Sequence, residues 1–594
     1  MAGIPSSWEA LLPTDGVRWW VVSELREQLL GPAGLTSSHG AVVKSGPHRT
    51  VRRLEFAGGL AIYIKHNLVP DARAWLRQCV RPSKARMEME LALALAERGV
   101  PTIEPLALGE QEAAFGAGAS YLVTRALDGT QTLNTLMAVA ASTLPRREQT
   151  LVRQRLAVGL GHFVARLHDA GVRHGDFHAA NILVRLDERG HPHFWLIDLN
   201  TVKLGPPLDG TAARENLVML ARWFMTRVNR SDRMRFWRAY YEARRLGPWP
   251  RGRCRARQHH ALAGELEWQT LVSALSFWKN RDRRSLGQNR YYRRVTSSGV
   301  AGHAVTDLDS SVIAQFVADP DAPFCQPGVQ LLKDSPSSTV AELEIVHDGR
   351  ARRVIYKRFR VTAWSEPVAA LLRPTAALRS WKLGHGLRER CLPTARPLLV
   401  LHRVQAGMKR EGYLLCEKIE DAVDLHRFVD GLSRRSAGEA RGLLRRAIAA
   451  VARTVCQLHH CRLSHRDLKA ANLLISRALA DQNSPFQPVE PVAPGATLAS
   501  RLPEPAHSVW FIDLVGVRLH AYLSRHRRAR DLARLHASFH ASPALTRTDK
   551  LRFLRAYLRW NLQGRGGWKT WWRAIAAATR AKVARNARRG RVLA

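Results

Sequence analysis

Acidic residues are scarce in this chain. Asp and Glu number 50 against 92 Lys and Arg in 594 residues, a formal charge of +42. That balance argues against a cationic partner and for an anionic one, whether a membrane surface, a phosphorylated glycolipid or a nucleic acid. An Arg-rich solvated surface accounts for part of the excess. Zinc-finger spacing and an aromatic–basic RNA-binding signature are both missing, which disfavours nucleic acid. Cysteine is sparse as well. Its seven copies form no CxxC pair, and the odd count and irregular spacing fit a reducing cytoplasm rather than a disulfide framework. Met1 to Asp15 lack the basic and long apolar regions of a signal peptide. No run approaches the roughly 18 apolar residues that span a bilayer. Membrane contact, if made, is expected from the cytoplasmic side.

What the chain does have, it has twice. His174-Gly175-Asp176-Phe177-His178-Ala179-Ala180-Asn181 is followed by Ile197-Asp198, and His465-Arg466-Asp467-Leu468-Lys469-Ala470-Ala471-Asn472 by Ile512-Asp513. In each, an Asp precedes an Asn by five residues and an apolar strand delivers a second Asp. That set can move a phosphoryl group from a magnesium nucleotide to a hydroxyl. The repetition extends further. Lys65 in Ile62-Tyr63-Ile64-Lys65 and Lys357 in Val354-Ile355-Tyr356-Lys357 stand 292 residues apart, as do Pro101-Thr102 and Pro393-Thr394. Arg230–Phe236 resembles Arg547–Phe553.

The expected architecture is α+β, with two tandem bilobed protein-kinase-like domains. The expected boundaries are an N-terminal extension over 1–34, a first domain over 35–295, a linker over 296–311, a second domain over 312–562 and a basic, Trp-rich tail over 563–594. Asp467 and Asp513 lie 24 residues further apart than Asp176 and Asp198. The excess falls near 476–508, a stretch of Pro, Ala, Ser and Glu that reads as a disordered insertion. The tail's Trp568-Lys569-Thr570-Trp571-Trp572 has two readings, a headgroup anchor or a last helix packing its tryptophans on the domain.

The roles follow from the chemistry. Lys65 would hold nucleotide phosphates and needs a carboxylate to fix its ammonium; Glu88 is the candidate and Glu90 its competitor. Asp176 would be the catalytic base, with the hydroxyl in line with the transferred phosphorus. Asn181 and Asp198 would hold the metal ion. His174 braces the loop, and His178 is a second brace or a substrate contact. In the second copy the roles fall to Lys357, Asp467, Asn472 and Asp513, with Lys469 placed to neutralise the phosphoryl group. The position matching Glu88 is Ser380, so Lys357 lacks its carboxylate there.

Other parts of an ordinary protein kinase are missing. His39–Gly46 only suggests a glycine-rich phosphate loop, and its counterpart, Lys333-Asp334-Ser335-Pro336, has no glycine. Asp198-Leu199-Asn200 and Asp513-Leu514-Val515 lack the Phe-Gly that follows the metal Asp of protein kinases, and no Ala-Pro-Glu closes an activation segment.

The loop at 174–181, Ile197-Asp198-Leu199, Glu97–Thr102 and Arg388–Thr394 together resemble the bacterial lipopolysaccharide core kinase family, the Kdo and heptose kinases. The likeness covers roughly 35–245 and 325–560. It implies ATP and Mg2+ as cofactors, a lipopolysaccharide core sugar or related anionic glycolipid as acceptor, and a peripheral position at the inner face of the cytoplasmic membrane. A protein or small-molecule kinase and a non-catalytic tandem pseudokinase are the alternative readings.

Overall fold

This computed structural model describes residues 4–14, 16–30, 40–46, 48–56, 58–69, 81–111, 118–143, 145–244, 253–327, 329–476, 508–540, 542–560, 567–588 and 590. The insertion expected near 476–508 therefore lies almost wholly outside the described residues. The chain divides into two compact units at Ser273/Ala274. That boundary falls within helix Arg253–Arg284.

The first unit begins with a seven-stranded sheet, β1 (Trp8–Thr14), β2 (Val17–Val22), β3 (Ala41–Lys44), β4 (Arg49–Glu55), β5 (Ala61–Asn67), β6 (Pro105–Gln111) and β7 (Ser120–Arg125), in the order β1-β2-β6-β7-β5-β4-β3. Alternation along β2 and β5 sends Val17, Trp19, Val21, Ile62 and Ile64 into one core with Leu106, Ala107 and Val123. Helix Lys84–Glu97 packs against this sheet. Ser83 caps it by accepting a hydrogen bond from the Arg86 N–H at 3.1 Å.

The rest of the unit is mainly helical. Helix Arg146–Asp169 packs against Arg230–Ala243 and carries Phe163, Val164 and Leu167 into the second core. Two short sheets frame the loop at 174–181. One is β9 (Val172–His174) with β12 (Val202–Leu204); the other joins β8 (Gln131–Thr132), β10 (Ile182–Leu186) and β11 (Pro192–Leu196).

The second unit repeats the plan. Strands β13 (Tyr292–Ser297), β14 (Val300–Val305), β15 (Gln330–Ser335), β16 (Ser338–His347), β17 (Arg350–Phe359), β18 (Pro397–Gln405) and β19 (Met408–Glu417) run in the order β13-β14-β18-β19-β17-β16-β15, the same permutation as the first sheet. Helix Ala376–Glu389 matches Lys84–Glu97 residue for residue in length, and Thr375 caps it as Ser83 caps the other. Below lie β20 (Ala422–Asp424), β21 (Leu463–His465), β22 (Leu473–Ser476), β23 (Val509–Phe511) and β24 (Val517–Leu519) with helices Ala437–His460, Arg525–Ala537 and Arg547–Trp560.

Two expected boundaries are corrected. Residues 296–311 are not a linker: β13 and β14 add two strands to the second sheet, and β14 pairs with β18 from Val300↔Arg403 to Ala304↔Leu399. Residues 1–34 likewise contain β1 and β2, whose β2 pairs with β6. The repeat therefore starts earlier than its motifs, because these edge hairpins bury apolar side chains without carrying any chemistry. The tail over 563–594 holds helix Trp568–Arg588, packed on the unit rather than detached from it. Trp571 is buried against Tyr557, with Arg525 over its ring. This helix also covers an apolar cavity of about 110 Å³ lined by Leu425, Ile448, Phe539, Phe553 and Ile575. Among the described residues, no helix is long and apolar enough to cross a membrane.

Candidate active sites

In the first copy, β5 carries Lys65 toward helix Lys84–Glu97, where its Nζ meets Glu88 Oε1 at 2.6 Å. Glu88 is 1% exposed, so its charge depends on this partner. Glu88 rather than Glu90 fixes the lysine. Its other oxygen accepts a hydrogen bond from Asn200 Nδ2 at 3.5 Å, and Asn200 also reaches Asp198 Oδ1 at 3.3 Å.

Asp198 adopts a left-handed conformation, φ +60°. Asp513 does the same, φ +53°. A non-glycine residue held there costs of order 1–3 kcal/mol and marks a site the surroundings over-determine. Strand β11 is pinned just before this turn. Leu196 N–H donates to Pro101 O at 3.0 Å and Thr102 Oγ1 donates to Leu196 O at 2.7 Å. Pro393 and Thr394 hold Phe511 the same way, at 2.9 and 2.8 Å. The repeated Pro-Thr pair thus aims the second aspartate of each motif.

Asp176 is exposed. His178 Nε2 lies 3.4 Å from its Oδ2. That hydrogen bond, with nearby His174 and Arg222, holds the Asp176 carboxyl below its usual range. Asn181 Nδ2 donates to Asp176 O at 2.9 Å. That bond uses the Asn181 amide nitrogen and leaves its oxygen, a hard ligand atom, outside it. His174 is a brace: its Nδ1 accepts the Asp176 N–H at 3.1 Å and its Nε2 faces Ile197 O at 3.4 Å. Burial lowers its pKa and keeps it neutral. Burial alone would raise the Asp198 carboxyl, but the Arg49 and Lys65 charges outweigh it and hold it low. Arg49 Nη1 sits 3.5 Å from Asp198 Oδ1. No motif announced Arg49.

A second unannounced network lies beneath the loop. His168 Nδ1 bonds Tyr240 OH at 2.9 Å and its Nε2 faces Asn216 Oδ1 at 3.3 Å, while Asn216 Nδ2 donates to His174 O at 2.7 Å. Burial pushes the His168 pKa down to about 3. The signal was present in the repeat: His459 and Tyr557 occupy the matching places, with His459 Nδ1 2.8 Å from Tyr557 OH.

The second copy brings its residues together differently. Lys357 Nζ lies 2.9 Å from Asp513 Oδ1. Ser380, on the helix face that carries Glu88 in the first copy, donates to its own helix at Ala376 O. Lys469 stands where His178 stands, its Nζ 3.6 Å from Asp467 Oδ2. Asn472 Nδ2 donates to Asp467 O at 2.8 Å. Asn216 is replaced by Asp531, which accepts the His465 N–H at 2.9 Å and pairs with Arg534 at 2.5 Å.

The loops also differ reciprocally. Gly175 N–H donates to Thr201 O at 3.0 Å, and Arg466 N–H to Gly516 O at 2.9 Å. A Cβ at Gly175 would meet Thr201 O at 3.0 Å and Thr201 Cβ at 3.1 Å. Where one loop has a side chain, the facing residue has none.

A sheet-borne lysine, a loop Asp–Asn pair and a left-handed Asp at the end of a pinned strand define a kinase-like cleft, present in both units. The profile of the lipopolysaccharide kinase (Kdo/WaaP) family matches residues 41–240 and 355–486, more than half of the chain. The chain belongs to that family. It is 31% identical over 143 residues to the 3-deoxy-D-manno-octulosonic acid kinase of Mannheimia succiniciproducens, covering 24% of this chain and 54% of that protein. To the enzyme of the same name from Stenotrophomonas maltophilia R551-3 it is 33% identical over 174 residues, covering 29% and 60%. The chain thus spans between about half and three fifths of these relatives' length. A solved structure of WaaP in complex with acyl carrier protein aligns with 39% of this chain and 88% of its own, at 22% identity and a TM-score of 0.30.

Proposed function

We propose that the protein is an ATP-dependent kinase that phosphorylates a sugar hydroxyl of a lipopolysaccharide core or related anionic glycolipid, and that the first copy carries the turnover. The observation behind it is the Lys65–Glu88 pair at 2.6 Å, bridged to Asp198 through Asn200 within the family-matched span. Lys65 holds the nucleotide phosphates while Glu88 keeps its ammonium from turning to Asp198. Asp176 orients the acceptor hydroxyl and takes its proton; its lowered pKa keeps it ionised at neutral pH. A magnesium ion suits the oxygens of Asp198 and Asn181, and when bound would neutralise charge on the phosphates. In the second copy, Lys357, Asp467, Asn472, Asp513 and Lys469 form a site whose lysine must first leave Asp513.

The charge of +42 supports an anionic acceptor and a peripheral place on an anionic membrane surface. Trp571 is buried, so the basic residues of helix Trp568–Arg588 and the exposed Trp568 make that contact. The test is phosphate transfer from labelled MgATP to a lipopolysaccharide-core extract by wild type, Asp176→Ala and Asp467→Ala. Loss with Asp176→Ala alone is the expected result. No transfer by a wild type that still binds MgATP would sink the glycolipid assignment.

A further inference from the structure

The nucleotide's terminal phosphates need donors above them, and neither sheet supplies a glycine-rich loop to provide backbone N–H groups. In the first copy the β3–β4 hairpin offers a side chain instead. Arg49 pairs with Asn67 across β4 and β5, and Val51 pairs with Lys65. Residues two apart on a strand, and residues directly opposite, share a face of the sheet. Arg49 and Lys65 therefore project from the same face, the one that looks onto Glu88 and Asp198. The Arg49 side chain is 21% exposed, and its guanidinium lies 3.5 Å from Asp198. A cation there, with a carboxylate that would turn to a metal ion once nucleotide enters, is left facing phosphate.

The second copy places a cation over its cleft from the opposite arm of the same hairpin. Lys333 on β15 pairs with Val340, which pairs with Lys357. Lys333 thus shares the Lys357 face, and its charge acts on Asp513. Ser338 holds the register of Arg49 there. Lys44 holds the register of Lys333 in the first copy, so Arg49 is the cation that this hairpin adds to the first cleft alone.

We propose that Arg49 is a nucleotide-binding residue of the first copy that grips the terminal phosphate of ATP, with Lys333 doing the same in the second copy. This rests on the kinase reading of the cleft but is independent of the acceptor. A planar guanidinium donates two parallel hydrogen bonds to a phosphate, and donors of this kind distinguish a triphosphate from a diphosphate by the group that only the former presents.

The test is calorimetric titration of the full chain with MgATP and MgADP, in a Lys357→Ala background that weakens the second site. Arg49→Ala should weaken MgATP binding about tenfold or more and MgADP binding less than about threefold, the loss expected for one charge-assisted phosphate contact. Arg49→Lys should recover part of the MgATP affinity. Retained MgADP binding reports a folded cleft. Equal losses for both nucleotides would overturn the proposal, as would tighter binding by Arg49→Ala, which would make Arg49 a lock on Asp198. Absence of binding of either nucleotide to the Lys357→Ala parent would overturn the kinase reading of the first cleft, and this proposal with it.

Discussion

In the first copy the strand lysine reaches a buried helix glutamate; in the second the same lysine reaches the left-handed aspartate, Asp513. The fold around the two is alike down to the strand permutation, the helix lengths and the left-handed aspartates. Among the residues that differ, Glu88 against Ser380 decides where that lysine goes. With Glu88 present, Lys65 is held off Asp198 before any nucleotide arrives. Without it, Lys357 turns to Asp513 and pairs with that carboxylate. Preorganisation of a site can thus turn on a carboxylate that never touches the reacting atoms.

The comparison can be broken hardest at the catalytic aspartates. Asp176→Ala should lower transfer by about 10²–10⁴-fold, the usual loss for a general base, while Asp467→Ala should leave most of it. Equal losses would make the two copies coupled partners. Next is the buried acid of the second copy. Asp531→Ala strands Arg534 and the His465 N–H, and should cost about 3–5 kcal/mol in urea unfolding. Asn216→Ala, in a network without charge, should cost about 1–3 kcal/mol.

A transplant sharpens the comparison further. Glu88→Gln should weaken MgATP binding to the first copy about 10–100-fold, and Ser380→Glu should strengthen binding to the second, both read by calorimetry. No gain from Ser380→Glu would show that the missing acid is not what distinguishes the sites.

The smallest effect is a pH dependence. His168 is neutral when folded, with a pKa of about 3, and titrates near 6.5 when unfolded. Between those values the unfolded chain binds more protons, so this contribution is full above pH 6.5 and is lost as pH falls. The loss amounts to about 2 kcal/mol by pH 5. Burial lowers the His459 pKa too, but Asp531 beside it acts in the opposite direction. Unfolding followed from pH 7 to 5 should therefore show the first unit losing stability, and His168→Gln should flatten its response.

The clefts were legible in the sequence because their chemistry constrains residue type at short spacing. Lys65, Asp176, Asn181 and Asp198 needed only the motif and its repetition, and Glu88 needed helical phase. The absence at Ser380 was legible too, through a constant offset of 292. Arg49 was not, because its place depends on strand register rather than on neighbours in sequence. His168, Asn216 and Tyr240 meet across 48 and 72 residues, and no local pattern announces such a network. The hairpins β1–β2 and β13–β14 were misread as an extension and a linker because they hold only packing residues, and packing tolerates many substitutions.

The glycine at 175 also bears on what the first loop tolerates. A Cβ there would meet Thr201 O at 3.0 Å and Thr201 Cβ at 3.1 Å. The second loop carries Arg466 at that place, opposite Gly516, which has no Cβ to meet. Moving the arginine from one copy to the other therefore asks for its glycine as well: the two positions are exchangeable as a pair.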